Sequence, residues 1–234
     1  MTKLANKVCI LKQLIILLLT FNCTFLPLQE VGLPEGFVYI KEVIPDIEVE
    51  LRYAGTNNFV GTPVDGYESG KCVISLEAAV ALKNLQEELY DYNLCIKVFD
   101  AYRPQTAVNH FVRWAKDIND TITKHQFYPQ VNKANLFKEG YIASSSRHSS
   151  GSTIDMTLVD GATGMELDMG SPWDFFGERS WVDHEDILDK QKANRQLLQR
   201  LMAKHGFRNY PKEWWHFTLY GEPFEGQYLD FLVQ

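Results

Sequence analysis

Apolar positions along this chain fall into two periods, one near 3.6 residues and one of 2. Residues 30 to 74 predict short extended pieces, broken by Gly55, Gly61, Pro63, Gly66 and Gly70. After Ser75, whose hydroxyl suits a cap, Leu82, Leu85 and Leu89 recur at helical spacing, predicting a helix from Leu76 to about Tyr90. Leu94 to Phe99 alternates and holds β-branched and aromatic residues, the signature of a strand. Pro104 can open a second helix, because the N–H it lacks is unbonded in a first turn anyway, and Val108, Phe111, Ala115 and Ile118 form its apolar stripe. Ile154, Met156 and Leu158 alternate with Asp155 and Thr157, predicting a strand over Ser152 to Val159. A third helix runs from about Asp186 to His205, with Gly206 as its stop, and Trp214 to Tyr220 forms a last, aromatic strand.

Helices and strands mix without a regular strand–helix–strand repeat, which predicts an α+β fold, and no linker interrupts residues 30–234, which predicts one domain there. With 45% hydrophobic residues and 13% aromatic ones there is ample material for its core. The preceding segment differs. Lys3, Lys7 and Lys12 lead into Leu14-Ile15-Ile16-Leu17-Leu18-Leu19, the pattern of a secretory signal segment over residues 1–28. The run is shorter than the roughly 20 residues of a spanning helix, so membrane attachment at the N-terminus is the alternative. Cys23 stands where a lipidated cysteine would, although Thr20-Phe21-Asn22 suits that processing poorly. Export to the periplasm or cell envelope is the expectation.

The formal charge of −7 falls to −10 once those three lysines are gone. No basic cluster offsets it, which excludes nucleic acid as the main partner. Cys72 and Cys95 then remain, open to a disulfide or to burial as thiols, at a spacing that fits no zinc knuckle.

Two segments carry chemistry. In one, His148 sits in a small polar turn, Ser144 to Thr153, and Asp155 follows seven residues on at the start of a strand. In the other, Glu213 precedes His216 by three residues beside Trp214 and Trp215. Two imidazoles and an aspartate are a sufficient set for hydrolytic zinc, which takes three protein ligands and keeps a fourth position open. A further carboxylate held off the metal can take the proton of the attacking water. The helical His-Glu-x-x-His pattern is absent, as is the Gly-x-Ser-x-Gly of a serine hydrolase.

The pattern Ser146-x-His148-x-x-Gly151-x-x-x-Asp155 with Glu213-x-x-His216 resembles the D-alanyl-D-alanine dipeptidases, a branch of the zinc D,D-peptidases that includes the vancomycin-resistance type. Leu51 to Phe59, Asp100 to Pro104 and Met169 to Phe176 match in the same order, so the likeness spans about residues 35–225. It implies the zinc D,D-peptidase (hedgehog-like) fold, with a mixed or antiparallel sheet and flanking helices. It implies one zinc ion held by His148, Asp155 and His216, Glu213 as general base, and Arg103 as the group that stabilises the anionic tetrahedral intermediate. Asp174 and Tyr53 would meet the ammonium of a small dipeptide substrate, and Ser146 would help at its carboxylate.

Read by themselves, these residues leave alternatives open. Arg103 can serve a structural salt bridge, Asp174 can cap the turn after Pro172, Tyr53 can simply pack, and Arg147 can face substrate or solvent. A D,D-carboxypeptidase on wall peptides and a non-catalytic zinc-bearing domain are the competing functions. His110, His125, His184 and His205 match no ligand position; His205 suits a helix C-terminus. Trp173, Trp181, Trp214 and Trp215 read as core or pocket wall.

Overall fold

In a computed structural model, which describes residues 32–234, the extended pieces before residue 75 become short elements. They are strand β1 (Phe37–Tyr39), the single-turn helix α1 (Ile40–Val43), the two-residue strand β2 (Glu48–Val49) and strand β3 (Val73–Ser75). The signal segment predicted over 1–28, with Cys23, lies outside the described residues.

Helix α2 (Leu76–Tyr90) forms where predicted, and Ser75 Oγ accepts from the Ala78 N–H at 3.4 Å, as a cap should. Its Ala78, Ala79, Leu82, Leu85 and Leu89 are buried, and Gln86 Oε1 accepts from the Ile96 N–H at 2.9 Å, tying it to strand β4 (Leu94–Asp100). Helix α3 (Gln105–Lys116) starts one residue after Pro104 and ends before Ile118, which is left 61% exposed. Ile118 therefore does not belong to the apolar stripe; Trp114 closes it instead, with Ala107, Val108, Phe111 and Ala115. A short helix α4 (Lys124–Phe127) and strand β5 (Thr153–Asp160) follow.

Helix α5 (Asp189–Lys204) begins three residues later than the predicted Asp186, because the Gln191 side chain accepts from the Leu188 N–H at 2.8 Å and ends the preceding loop there. Strand β6 (Phe207–Tyr210), absent from the sequence expectation, makes a hairpin with strand β7 (Glu213–Leu219). Glu88 of α2 binds Lys204 and His205 at the end of α5, each at 2.7 Å, which ties the C-terminal ends of the two helices together.

The main sheet runs β2-β4-β5-β7-β6, with β2 and β4 parallel and every other pair antiparallel. β1 and β3 form a separate antiparallel pair. This is the α+β architecture with a mixed sheet and flanking helices that the sequence predicts. β5 is central and buried on both faces: Ile154, Met156 and Leu158 are wholly inaccessible on one, while Asp155 and Thr157 project from the other.

Pairing is irregular at two places near the site, between β4 and β5 and between β6 and β7. Toward β4 the register steps from Val98 opposite Met156 to Asp100 opposite Asp155, leaving Phe99 as an extra residue. Toward β7, His216 lies opposite Asp155. Beyond it, β6 steps from Asn209 opposite Phe217 to Tyr210 opposite Glu213. Bulges of this kind re-aim side chains that strict alternation would send to the wrong face. Residues 213 and 216 are an odd number apart, so a regular strand would point them to opposite faces.

Gly151 closes the 3₁₀ turn Arg147–Ser150 with φ +83°, and a Cβ there would stand 2.1 Å from Phe37 Cε1. Gly151→Ala is expected to cost about 1–3 kcal/mol from overpacking alone, lowering the melting temperature by several degrees at roughly 2–4 °C per kcal/mol. Calorimetry that finds no change would show that Phe37 yields freely.

Candidate metal centre

His148, Asp155 and His216 converge from a turn and two adjacent strands, and their ligand atoms all lie within 4.8 Å of one another. His148 Nε2 is 3.2 Å from His216 Nδ1 and 3.3 Å from Asp155 Oδ1, and His216 Nδ1 is 3.1 Å from that same oxygen. A tetrahedral zinc with bonds of about 2.0–2.1 Å would space its ligand atoms about 3.3 Å apart. The triangle of donors matches that spacing.

The surroundings of each donor support a cation. His148 Nδ1 lies 2.7 Å from the Ala101 carbonyl, which can only accept, so the proton sits on Nδ1 and the Nε2 lone pair faces its two partners. Asp155 Oδ2 accepts from the Trp173 indole N–H at 3.2 Å. Asp155 Oδ1, close to both imidazoles, has no hydrogen bond directed at it and is buried. An unsatisfied carboxylate oxygen in the interior is costly, and a divalent ion removes that cost. The donor set of two imidazoles and one carboxylate suits zinc.

The charges respond accordingly. Burial disfavours ionised Asp155, yet His148 and His216 outweigh it and hold the carboxyl well below the usual carboxylate range. Burial also opposes the imidazolium of His216, but Asp155 and Glu213 overcome it and raise that group to about 9. The buried Asp155 carboxylate thus stays ionised and attracts positive charge to the centre.

Every residue given a catalytic, metal-binding or substrate-binding role from the sequence reaches one cavity. Tyr53, Arg103, Ser146, Asp174 and Glu213 line it with the three metal-site residues. Its volume of about 280 Å³ lies at the small end of ligand sites, which span roughly 300–1,000 Å³. Glu213 Oε2 stands 3.3 Å from His216 Nδ1 and is partly exposed, so it borders the metal position and remains open to solvent. Tyr53 donates to Asp174 Oδ2 at 2.7 Å in the buried wall. Asp174 takes a left-handed backbone (φ +63°), uncommon for a residue with a side chain, and burial pushes its carboxyl well up despite the donation from Tyr53. Packing and polar contact coexist at Tyr53, whose ring also meets Phe59, Phe111 and Trp173.

Arg103 makes a structural salt bridge and also lines the cavity. Nε and Nη2 bind Asp100 Oδ2 at 2.9 and 2.8 Å, a structural salt bridge, while Nη1 reaches 3.5 Å from Ser146 Oγ on the cavity side. Ser146 Oγ also accepts from the His148 N–H at 3.3 Å and so caps the ligand turn. The Arg147 side chain is 58% exposed and pairs with Glu222 at 3.6 Å.

Two contributors escaped the sequence reading. Asp100, fully buried, holds Arg103 and accepts from Tyr67 at 2.7 Å; its sequence cue is its place in the Asp100 to Pro104 segment, three residues before the arginine. Trp173, read as core or pocket wall, also donates to Asp155. Of the unassigned histidines, His205 lies at the α5 terminus with Glu88, and His110 accepts from the Asp65 N–H at 3.1 Å, both away from the cavity. Cys72 and Cys95 are free thiols, so they form no disulfide with each other.

The family described as D-Ala-D-Ala dipeptidase, peptidase M15, matches residues 34–234. The chain is 39% identical to a D-alanyl-D-alanine dipeptidase of Enterococcus faecalis (strain ATCC 700802 / V583), covering 85% of this chain and 98% of that protein. It is 38% identical to one of Enterococcus faecium, over 85% of this chain and 98% of that one. A Streptomyces coelicolor (strain ATCC BAA-471 / A3(2) / M145) dipeptidase of the same description is 38% identical, with 84% and 98% covered.

The donor triangle predicts uptake of a single zinc ion. Titration of metal-free protein should saturate at one equivalent and raise the melting temperature, by about 4 kcal/mol of added stability when free zinc is 1,000-fold above Kd. Asp155→Asn and His216→Ala should each abolish that shift; a full shift in either would remove that residue from the metal site.

Proposed function

Because the chain belongs to the D-Ala-D-Ala dipeptidase family, peptidase M15, we propose that it hydrolyses the D-alanyl-D-alanine dipeptide to free D-alanine with one zinc ion. The observation that carries this reading is the enclosure of the His148, Asp155 and His216 donors, Glu213 and Arg103 in one small cavity. A zinc ion there polarises the amide carbonyl and acidifies water.

The chain's own residues supply the rest. Glu213, bordering the donors and open to solvent, accepts the proton of the attacking water and delivers it to the departing amine, so the same carboxyl serves as base and then acid. Arg103 directs Nη1 into the cavity while Asp100 holds its other two nitrogens, which fixes the guanidinium before charge develops on the carbonyl oxygen. No reorganisation is then needed at the moment of reaction. Asp174, positioned by Tyr53, receives the substrate ammonium, a cation that favours the ionised carboxyl that burial disfavours. Ser146 Oγ, beside Arg103, takes the carboxylate end. Both ends of a free dipeptide thus meet complementary groups in a small site.

The lysine-led apolar leader supports export. Outside the cytoplasm the dipeptide would come from released wall material, and the reaction would serve recovery of D-alanine. Attachment through Cys23 is the second mode the leader allows.

Purified zinc-loaded protein given D-Ala-D-Ala should release free D-alanine; cleavage of a wall pentapeptide in its place would make it a D,D-carboxypeptidase. Glu213→Ala should keep zinc and lower kcat by about 10²–10⁴-fold, the range of a general base. Loss of the metal in that variant would make Glu213 a ligand. Asp174→Asn should raise KM by about 10- to 100-fold, the loss of a charge-assisted contact, with a smaller effect on kcat. An unchanged KM would move the ammonium site elsewhere.

A further inference from the structure

We infer that Trp173 is a positioning residue for the metal site, its indole N–H engaging Asp155 Oδ2 so that Oδ1 alone is presented to the two imidazoles. This rests on the zinc reading above and extends it to a residue outside the donor set. The contact is 3.2 Å long between two side chains that are both 2% exposed, so water does not compete for it. The nearby Arg103 Nη2 stands 3.7 Å from the same oxygen, beyond hydrogen-bond distance. Among the described residues the indole is therefore the hydrogen-bond donor to Oδ2.

The ring cannot readily move. It packs against Tyr53 at 5.1 Å and Phe99 at 5.5 Å, and the Arg52 guanidinium lies over it at 5.6 Å. Arg52 is in turn fixed by Glu50 at 2.9 Å. Phe99 is the extra residue of the β4 bulge, so the irregularity that sets Asp100 opposite Asp155 also supplies a wall for the indole. A carboxylate with both oxygens free can chelate and fill the position a hydrolytic site must leave for water; an oxygen already engaged by an N–H resists this. Asp174 follows directly in the chain, so one turn orients both the metal carboxylate and the residue bonded to Tyr53.

The test is zinc affinity by chelator competition. Trp173→Phe keeps an aromatic ring and removes only the N–H and the second ring. It should bind one zinc about 10- to 100-fold more weakly, the usual cost of losing such a partner. Trp214→Phe, which instead loses a bond to Ser171, should leave the affinity unchanged. Equal affinity in the Trp173→Phe and unsubstituted proteins would overturn the inference. An unsubstituted protein that takes up no zinc would instead sink the metal-site reading itself. Should Trp173→Phe fail to fold, the indole N–H spectrum of the unsubstituted protein decides. The Trp173 resonance should move on zinc addition and that of Trp214 should not; an unmoved Trp173 resonance overturns the inference.

Discussion

A carboxylate oxygen buried between two imidazoles, with no hydrogen bond of good geometry to satisfy it, is the constraint around which this molecule is arranged. Asp155 Oδ1 lies 3.1 and 3.3 Å from the nitrogens of His216 and His148 and accepts no hydrogen bond. Inside a protein such an arrangement is costly unless a cation occupies it. The Ala101 carbonyl fixes the tautomer of His148, and Trp173 occupies the other oxygen of Asp155. These contacts all turn lone pairs toward one point.

The sheet provides the geometry through two irregularities in its pairing. Asp155 sits on the central strand, and the pairing is irregular toward β4 and beyond His216 on β7. The first irregularity brings Asp100 level with Asp155, and through Asp100 it anchors Arg103. The second lets Glu213 and His216, an odd number of residues apart, border the same cavity. A helix presents ligands at i and i+4; here neighbouring strands and one capped turn do the equivalent work. The ligands stand on elements with buried flanks, which limits the motion that would loosen the donor triangle.

Much of this was legible in the sequence, for local reasons. Ser75 and the leucines after it define α2, and the alternation around Asp155 defines β5, because cap chemistry and periodicity are properties of a few neighbouring residues. The pairing of His148 and Asp155 with Glu213 and His216 was legible through a family pattern, not through spacing alone. What remained hidden depends on contacts distant in sequence. β6 is four residues long and partly exposed, with no period to detect, and exists because β7 pairs with it. Ile118 continues the helical spacing of α3, but the chain leaves the helix at Asp117 and exposes it. Asp100 and Trp173 resemble an ordinary strand-end aspartate and a core aromatic until the register sets them beside Arg103 and Asp155.

The most direct test of the account is anomalous diffraction at the zinc edge from crystals of the metal-loaded protein. One peak is predicted, bonded to His148 Nε2, Asp155 Oδ1 and His216 Nδ1 at about 2.0–2.2 Å. A peak seated elsewhere, or one that engages only two of these side chains, would contradict it.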